Sequence, residues 1–240
     1  MSTRIRHKSF MLENPADVMR FPTAVILVGA SPVAIEPILA GLPEGLPLIA
    51  ADGGASALLA LGRVPDVVIG DMDSLASRDT LPCSVKVVHL SGQNDTDFEK
   101  CLSRIESPLI IGLGFLEARF DHSLAAIHAL MSLCHDQPVL LVGNTDALLR
   151  LTGDVEIMMP LGSRISIWPL GRQSFEESSG LRWPLTGLDM APGKLIGASN
   201  EVSATPVRIA ATDGGDGYAI IAPVETMAEL MAAITEDNGA

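Results

Sequence analysis

Apolar positions along the chain follow two regimes, and the change falls near residue 151. In the first, residues 24–28, 48–51, 67–70, 108–112 and 139–143 are apolar runs bounded mostly by Gly, Pro, Ser or Asp, the pattern of buried strands, and 85–90 looks like a further strand. Helical spacing separates them: a weak pattern to about residue 42 and an Ala/Leu-rich one after Gly53-Gly54. Phe98, Cys101, Leu102 and Ile105 then recur at i, i+3, i+4, i+7, and Leu124, Ile127, Leu130, Met131 and Cys134 mark another apolar face. Strands alternating with helices predict an α/β unit with a mostly parallel sheet flanked by helices. Past Gly153 the helical spacing stops, and short β-like pieces at 155–159, 164–168, 194–196, 207–211 and 218–222 predict an all-β sandwich. The expected organisation is an N-terminal extension (1–22), an α/β unit (23–151), a β-sandwich (152–223) and a C-terminal helix or tail (224–240).

Composition narrows the partners. With 240 residues and 48% hydrophobic content the chain can bury a large core, while its net charge of −13 lacks the positive footprint that nucleic acid or an anionic membrane surface requires. A polyphosphate ligand would therefore need a divalent cation and a few local Arg or Lys residues. Cys83, Cys101 and Cys134 are odd in number and form no CxxC, so neither a disulfide framework nor a zinc site is expected, and a reducing cytoplasm fits. No apolar stretch approaches the roughly 18 residues of a spanning helix. The basic residues Arg4, Arg6 and Lys8 precede no apolar core, which argues against secretion.

Candidate chemistry gathers at the ends of the predicted strands. The run 48–51 meets Asp52-Gly53-Gly54, and the run 67–70 ends in Asp71-Met72-Asp73-Ser74. Ligands of open α/β sheets sit outside the carboxyl ends of the strands, so both segments deliver carboxylates to one edge. Downstream, Thr96 and Glu99 have capping-box spacing, which puts Asp95 and Asp97 at a helix start. Asp71, Asp73 and Asp97 converging there would repel by about 4 kcal/mol per pair at 4 Å and an effective dielectric near 20, a cost that a divalent cation removes. Mg2+, which takes a few carboxylates plus water and phosphate oxygens, suits such an edge. The plainer readings are solvated loop acids for Asp71 and Asp73, and acids favouring a helix dipole for Asp95 and Asp97. Gly53 and Gly54 either let backbone amides approach an anion or simply make a tight turn. Arg119, at a strand-to-helix loop, could neutralise phosphate, with Asp121 orienting it or binding a ligand. His122 receives no role.

The strings ADGGAS, Pro65-Asp66, IGDMDS, QNDTDFEK, ARFDHSLAAI, GLRWPL and GASNE, in this order from about residue 24 to 222, resemble thiamine pyrophosphokinases. The resemblance implies an α/β catalytic domain, a C-terminal β-sandwich, a homodimer, and transfer of a diphosphoryl group from Mg-ATP to the thiamine hydroxyl with release of AMP. It further implies that Asp71, Asp73 and Asp97 hold Mg2+ and the ATP phosphates. Asp52, Gln93, Thr96, Arg119 and Asp121 would complete the nucleotide and transfer site, with Asp97 or Asp121 as proton acceptor. Trp183, Ser199 and Asn200 would bind thiamine between one subunit and its partner, an aromatic face attracting a cationic thiazolium; core filler is the alternative for Trp183, and core the expectation for Trp168. The chain departs from the family pattern at Glu117-Ala118 (usually Gly-Gly), Met72 (usually aromatic) and Ala198 (usually Thr). Rival functions are a pyrophosphokinase for another hydroxymethyl heterocycle such as a pterin, a thiamine-binding module without turnover, and an Asp-x-Asp phosphohydrolase.

Overall fold

The computed structural model describes residues 18–72, 81–90, 95–116, 119–133 and 136–235. Its first half comprises β1 (Met19–Arg20), β2 (Val25–Val28), α1 (Ile35–Ala40), β3 (Leu48–Ala51), α2 (Gly54–Ala60), β4 (Val67–Gly70), β5 (Lys86–His89), α3 (Asp97–Leu102), β6 (Ile105–Glu106), β7 (Ile110–Leu113), α4 (Phe120–Ser132) and β8 (Val139–Val142). Every residue of β2, β4, β7 and β8 is buried, because helices cover both faces of a parallel sheet and leave no polar side for alternation. The outermost strand, β5, carries the exposed Lys86 and His89, a usual protection of a free edge.

In the second half lie β9 (Asp146–Leu151), β10 (Val155–Ile157), β11 (Arg164–Pro169), β12 (Gln173–Ser179), β13 (Asp189–Met190), β14 (Gly197–Glu201), β15 (Val207–Ala211), β16 (Tyr218–Pro223) and, after a 3-10 turn, α5 (Met227–Thr235). The two regimes read from the sequence share one sheet. Strand β9 pairs antiparallel with β8 and with β16, so a ten-stranded sheet runs β14-β11-β16-β9-β8-β7-β2-β3-β4-β5. A second, antiparallel sheet, β10-β15-β12-β13, packs on its far half. Phe175 of β12 meets Tyr218 of β16 edge-on at 5.3 Å between these layers.

Three local expectations need correction. The strand expected at 194–196 lies instead at Gly197–Glu201, which places Ser199 and Asn200 on β14. Strand β12 was invisible to periodicity because its sequence, QSFEESS, turns only Gln173 and Phe175 into the core. Helix α4 packs through Ala126, Ala129 and Leu130 and leaves Leu124 and Met131 exposed, since the small alanines allow close approach to the sheet; Cys134 lies outside the described residues. The far end of α4 is tied to β9 by the buried Arg150, whose guanidinium donates to the carbonyls of Leu130 (3.1 Å), Gln137 (3.0 Å) and Leu133 (3.2 Å). The Leu130 and Leu133 carbonyls are ones that a helix end leaves without an internal donor.

Candidate active site

The parallel strands change direction at β2: the chain moves outward through β3, β4 and β5, then returns to place β7 on the other side of β2. Such a switch point opens a crevice at the carboxyl ends of the two strands. A cavity of about 340 Å3 lies there, lined by Gly29 after β2 and Gly114 after β7, together with Ser31, Gly53, Asp97 and His122. Gly114 has φ +78°, and a Cβ on it would stand 2.9 Å from the Gly29 carbonyl oxygen, so the two strand ends close only without side chains. Another hollow, about 400 Å3, opens beside Ile26, Leu48 and Arg63, and it holds none of the acidic residues gathered at the carboxyl ends.

The Gly53-Gly54 pair has a packing cause. A Cβ on Gly54 would lie 2.0 Å from the Val28 carbonyl oxygen, so α2 can start against β2 only with glycine. Gly53 is the residue that faces the cavity. Asp52 is buried with φ 38°, its N–H donates to the Ile69 carbonyl at 2.8 Å, and its Cβ presses on Gly70, which draws the ends of β3 and β4 together. Asp71 therefore leaves β4 right beside Asp52.

Helix α3 brings the next carboxylate. The capping box is present: Thr96 Oγ1 accepts from the Glu99 N–H at 3.2 Å, and Glu99 Oε2 accepts from the Thr96 N–H at 2.7 Å. This fixes the helix start and places Asp97 in its first turn, while Lys100 points back toward β4. Lys100 Nζ donates to Asp97 Oδ1 at 2.9 Å and to Asp71 Oδ2 at 3.3 Å. Its side chain is only 7% exposed. Burial pulls the Lys100 pKa down, but the hydrogen bonds and charges of Asp97 and then Asp71 outweigh this and leave it above the ordinary lysine value. Burial, then the Asp97 charge, pushes the neighbouring Cys101 thiol well up, so it stays an uncharged core group.

Two hard carboxylates from separate elements thus face one cation, a donor chemistry that fits Mg2+. Asp73, the third expected ligand, and Gln93 lie outside the described residues, as do Glu117 and Ala118. Among the described residues no group of three His, Cys, Asp or Glu side chains is gathered to hold a metal ion. Sequence reasoning missed Lys100; the available signal was a lysine three positions after Asp97 on the same helix, a spacing at which opposite charges meet.

Arg119 and Asp121 pair with each other at the start of α4, the guanidinium gripping the carboxylate through Nε (3.1 Å) and Nη2. Both are exposed; the hydrogen bond from Arg119 holds the Asp121 carboxyl below its ordinary range. His122, left without a role above, lines the cavity instead of either.

A second cluster stands on β14. Trp183 is 54% exposed, which rules out core filler, and the Arg182 guanidinium lies 4.9 Å from its ring centroid. The buried Asn200 accepts from the Trp183 N–H at 3.1 Å and donates to the Trp183 carbonyl at 2.7 Å, so it shapes the loop that presents the indole. Ser199 has φ 58°, and its N–H donates to Ser166 Oγ at 3.0 Å. Trp168 is partly buried against the core, as expected. Asp52, Met72 (φ 66°) and Ser199 are the three non-glycine residues with positive φ among those described, and all belong to or adjoin the two clusters. Backbone strain of this kind collects at functional sites. Seven strands separate β14 from β4, on the order of 40 Å at roughly 4.8 Å per strand.

The family model described as thiamin pyrophosphokinase, catalytic domain, matches residues 46–142, and that described as thiamin pyrophosphokinase, vitamin B1 binding domain, matches residues 154–214. Thiamin pyrophosphokinase 1 of Caenorhabditis elegans is 30% identical over 178 residues, 66% of this chain and 72% of that protein. The 6-hydroxymethyl-7,8-dihydropterin pyrophosphokinase of Pyrococcus furiosus is 41% identical over 91 residues, 37% of this chain and 38% of that protein. In fold, the chain matches the crystal structure of the thiamin pyrophosphokinase of Geobacillus thermodenitrificans with a TM-score of 0.68 at 21% identity, covering 84% of this chain and 97% of that one.

Proposed function

The chain belongs to the thiamin pyrophosphokinase family, and from that premise we propose that Asp71, Asp73 and Asp97 hold Mg2+ for the transfer of a diphosphoryl group from ATP to thiamine. The activity is that of a thiamine diphosphokinase. What carries the metal reading is the single ammonium shared by Asp71 and Asp97 at the carboxyl edge of the sheet, since carboxylates held toward one cation are held toward another. Mg2+ would offset the charge of the polyphosphate when bound. Gly53 faces the cavity with its backbone, Asp52 buttresses the strand end that presents Asp71, and Thr96 fixes α3 by its cap. Together with Gly54 and Gln93 they form the nucleotide side of the site in this reading. Arg119 neutralises phosphate after leaving Asp121, and Asp97 or Asp121 accepts the hydroxyl proton. Such transfers depend on positioning and charge neutralisation more than on covalent chemistry by the protein.

Thiamine then belongs at Trp183, Ser199 and Asn200, where an exposed indole suits a cationic ring. Because this cluster and Asp71 occupy distant strands of one sheet, the reading includes a homodimer in which Trp183 of one copy completes the acidic edge of the other. Residues 23–151 would act as the ATP unit and 152–223 as the thiamine unit, working in the reducing cytoplasm, where the free Cys83 and Cys101 are at home. The pterin alternative draws support from the partial match to the P. furiosus protein, but the match of residues 154–214 to a vitamin B1 binding domain favours thiamine. Incubation with ATP, Mg2+ and either thiamine or a pterin alcohol, with an EDTA control, tests this. AMP and thiamine diphosphate are expected with thiamine alone and only with metal; metal-independent turnover would refute the metal reading.

A further inference from the structure

Lys100 stands where two proposed ligand oxygens already point. Helix α3 lies against β4, and the buried ammonium, 2.9 Å from Asp97 Oδ1 and 3.3 Å from Asp71 Oδ2, engages one oxygen of each carboxylate. An oxygen that accepts a charge-assisted hydrogen bond at such a distance directs electron density to the ammonium that a metal ion would otherwise receive. Lysine is suited to leaving, because its charge is a compact point on a flexible four-carbon stem and can move without a backbone shift.

We propose that Lys100 is a resident counter-ion of the metal site: it cross-links Asp71 and Asp97 while no divalent cation is present, and the incoming cation displaces it from their oxygens. The proposal rests on the reading of Asp71 and Asp97 as metal ligands. Without the ammonium, two carboxylates beside the buried Asp52 would repel, and one would swing away or take up a proton. With it, both are held at the edge before any substrate arrives, which is preorganisation in the useful sense. The displaced ammonium stays within reach of phosphate oxygens, so a cation arriving with polyphosphate offers Lys100 new acceptors, while a cation arriving alone offers none. The empty protein is therefore built to bind the metal weakly and the metal-polyphosphate well.

The test is titration of the nucleotide-free full chain with Mn2+, followed by electron paramagnetic resonance, for the wild type, Lys100→Met, Lys100→Gln and Asp71→Asn. Both Lys100 variants are expected to bind Mn2+ about tenfold more tightly than the wild type, since a competing charge a few ångströms away has gone. Mn2+ should also raise their melting temperatures by more than it raises the wild type's. A merely structural lysine would lower the melting temperature without tightening the metal. Unchanged or weaker binding in both variants overturns the proposal, as does a loss of fold in both that Mn2+ does not restore, or no Mn2+ binding by any of the four proteins. If Lys100→Met alone fails to fold, Lys100→Gln, which keeps a hydrogen-bond donor without the charge, decides. Asp71→Asn separates the two layers: wild-type Mn2+ binding in that variant sinks the metal assignment itself. Loss of binding there, with unaltered affinity in the Lys100 variants, sinks only the counter-ion.

Discussion

The acidic edge and the Trp183 cluster hold their side chains in opposite ways. At the acidic edge, a strand end and a capped helix start aim Asp71 and Asp97 at one place, and a buried ammonium offsets their charge. At the Trp183 cluster an exposed indole is presented by two hydrogen bonds exchanged between the Trp183 backbone and the side chain of Asn200, seventeen positions away. Charged chemistry is placed by regular elements and their ends, whereas the cationic ring's proposed seat is shaped by one buried amide. The first should therefore fail in rate when altered and the second in binding.

The largest effect expected is at the acidic edge: Asp71→Asn should lower kcat by about 10³-fold or more in a coupled AMP assay, with the far-ultraviolet dichroism unchanged. Near-normal turnover would erase the contrast between the regions. Asn200→Ala leaves the Trp183 N–H and carbonyl without their partner, so we expect a loss of about 2 kcal/mol in urea unfolding. The KM for thiamine should rise with little change in the KM for ATP. Trp183→Ala should raise the thiamine KM roughly tenfold, the worth of about 1.4 kcal/mol of cation–π contact. Its melting temperature should stay near that of the wild type because the ring is already exposed; a large drop would mean that the ring supports the fold.

The smallest effect concerns acid. Asp121 is held below its ordinary value of about 3.9 by the Arg119 hydrogen bond. A depressed carboxyl stabilises the fold above that ordinary value, and the contribution is lost as pH falls through the lower, folded-state value. In Arg119→Gln, the Asp121 carboxyl followed by nuclear magnetic resonance should titrate nearer 3.9. Overall stability at neutral pH should barely move, because both partners are exposed.

The same contrast governs what could be read from the sequence. Runs such as Val25–Val28 and Val139–Val142 announce parallel strands because both faces are buried, and the Thr96/Glu99 cap is a spacing of three, so both signals are local. Lys100 was hidden because its partner Asp71 sits on another element, and the role of Asn200 because it acts on backbone atoms that periodicity does not see. The join of the two regimes escaped for a related reason. Strand β9 reads like the end of one texture, and its antiparallel pairing to both β8 and β16 is a tertiary fact.

That join has a consequence for any two-fold pair of chains. With the aspartates near one rim of a continuous sheet and the indole at the other, each copy would lend its tryptophan to its neighbour, and two composite pockets would form per pair. Co-refolding Asp71→Asn chains with Trp183→Ala chains would then produce mixed pairs that concentrate both lesions in one pocket and leave the other whole. With thiamine well below its KM, where Trp183→Ala alone keeps about a tenth of the wild-type rate, random pairing would return roughly a quarter of wild-type turnover. Chains that each contained a whole pocket would return only about a twentieth.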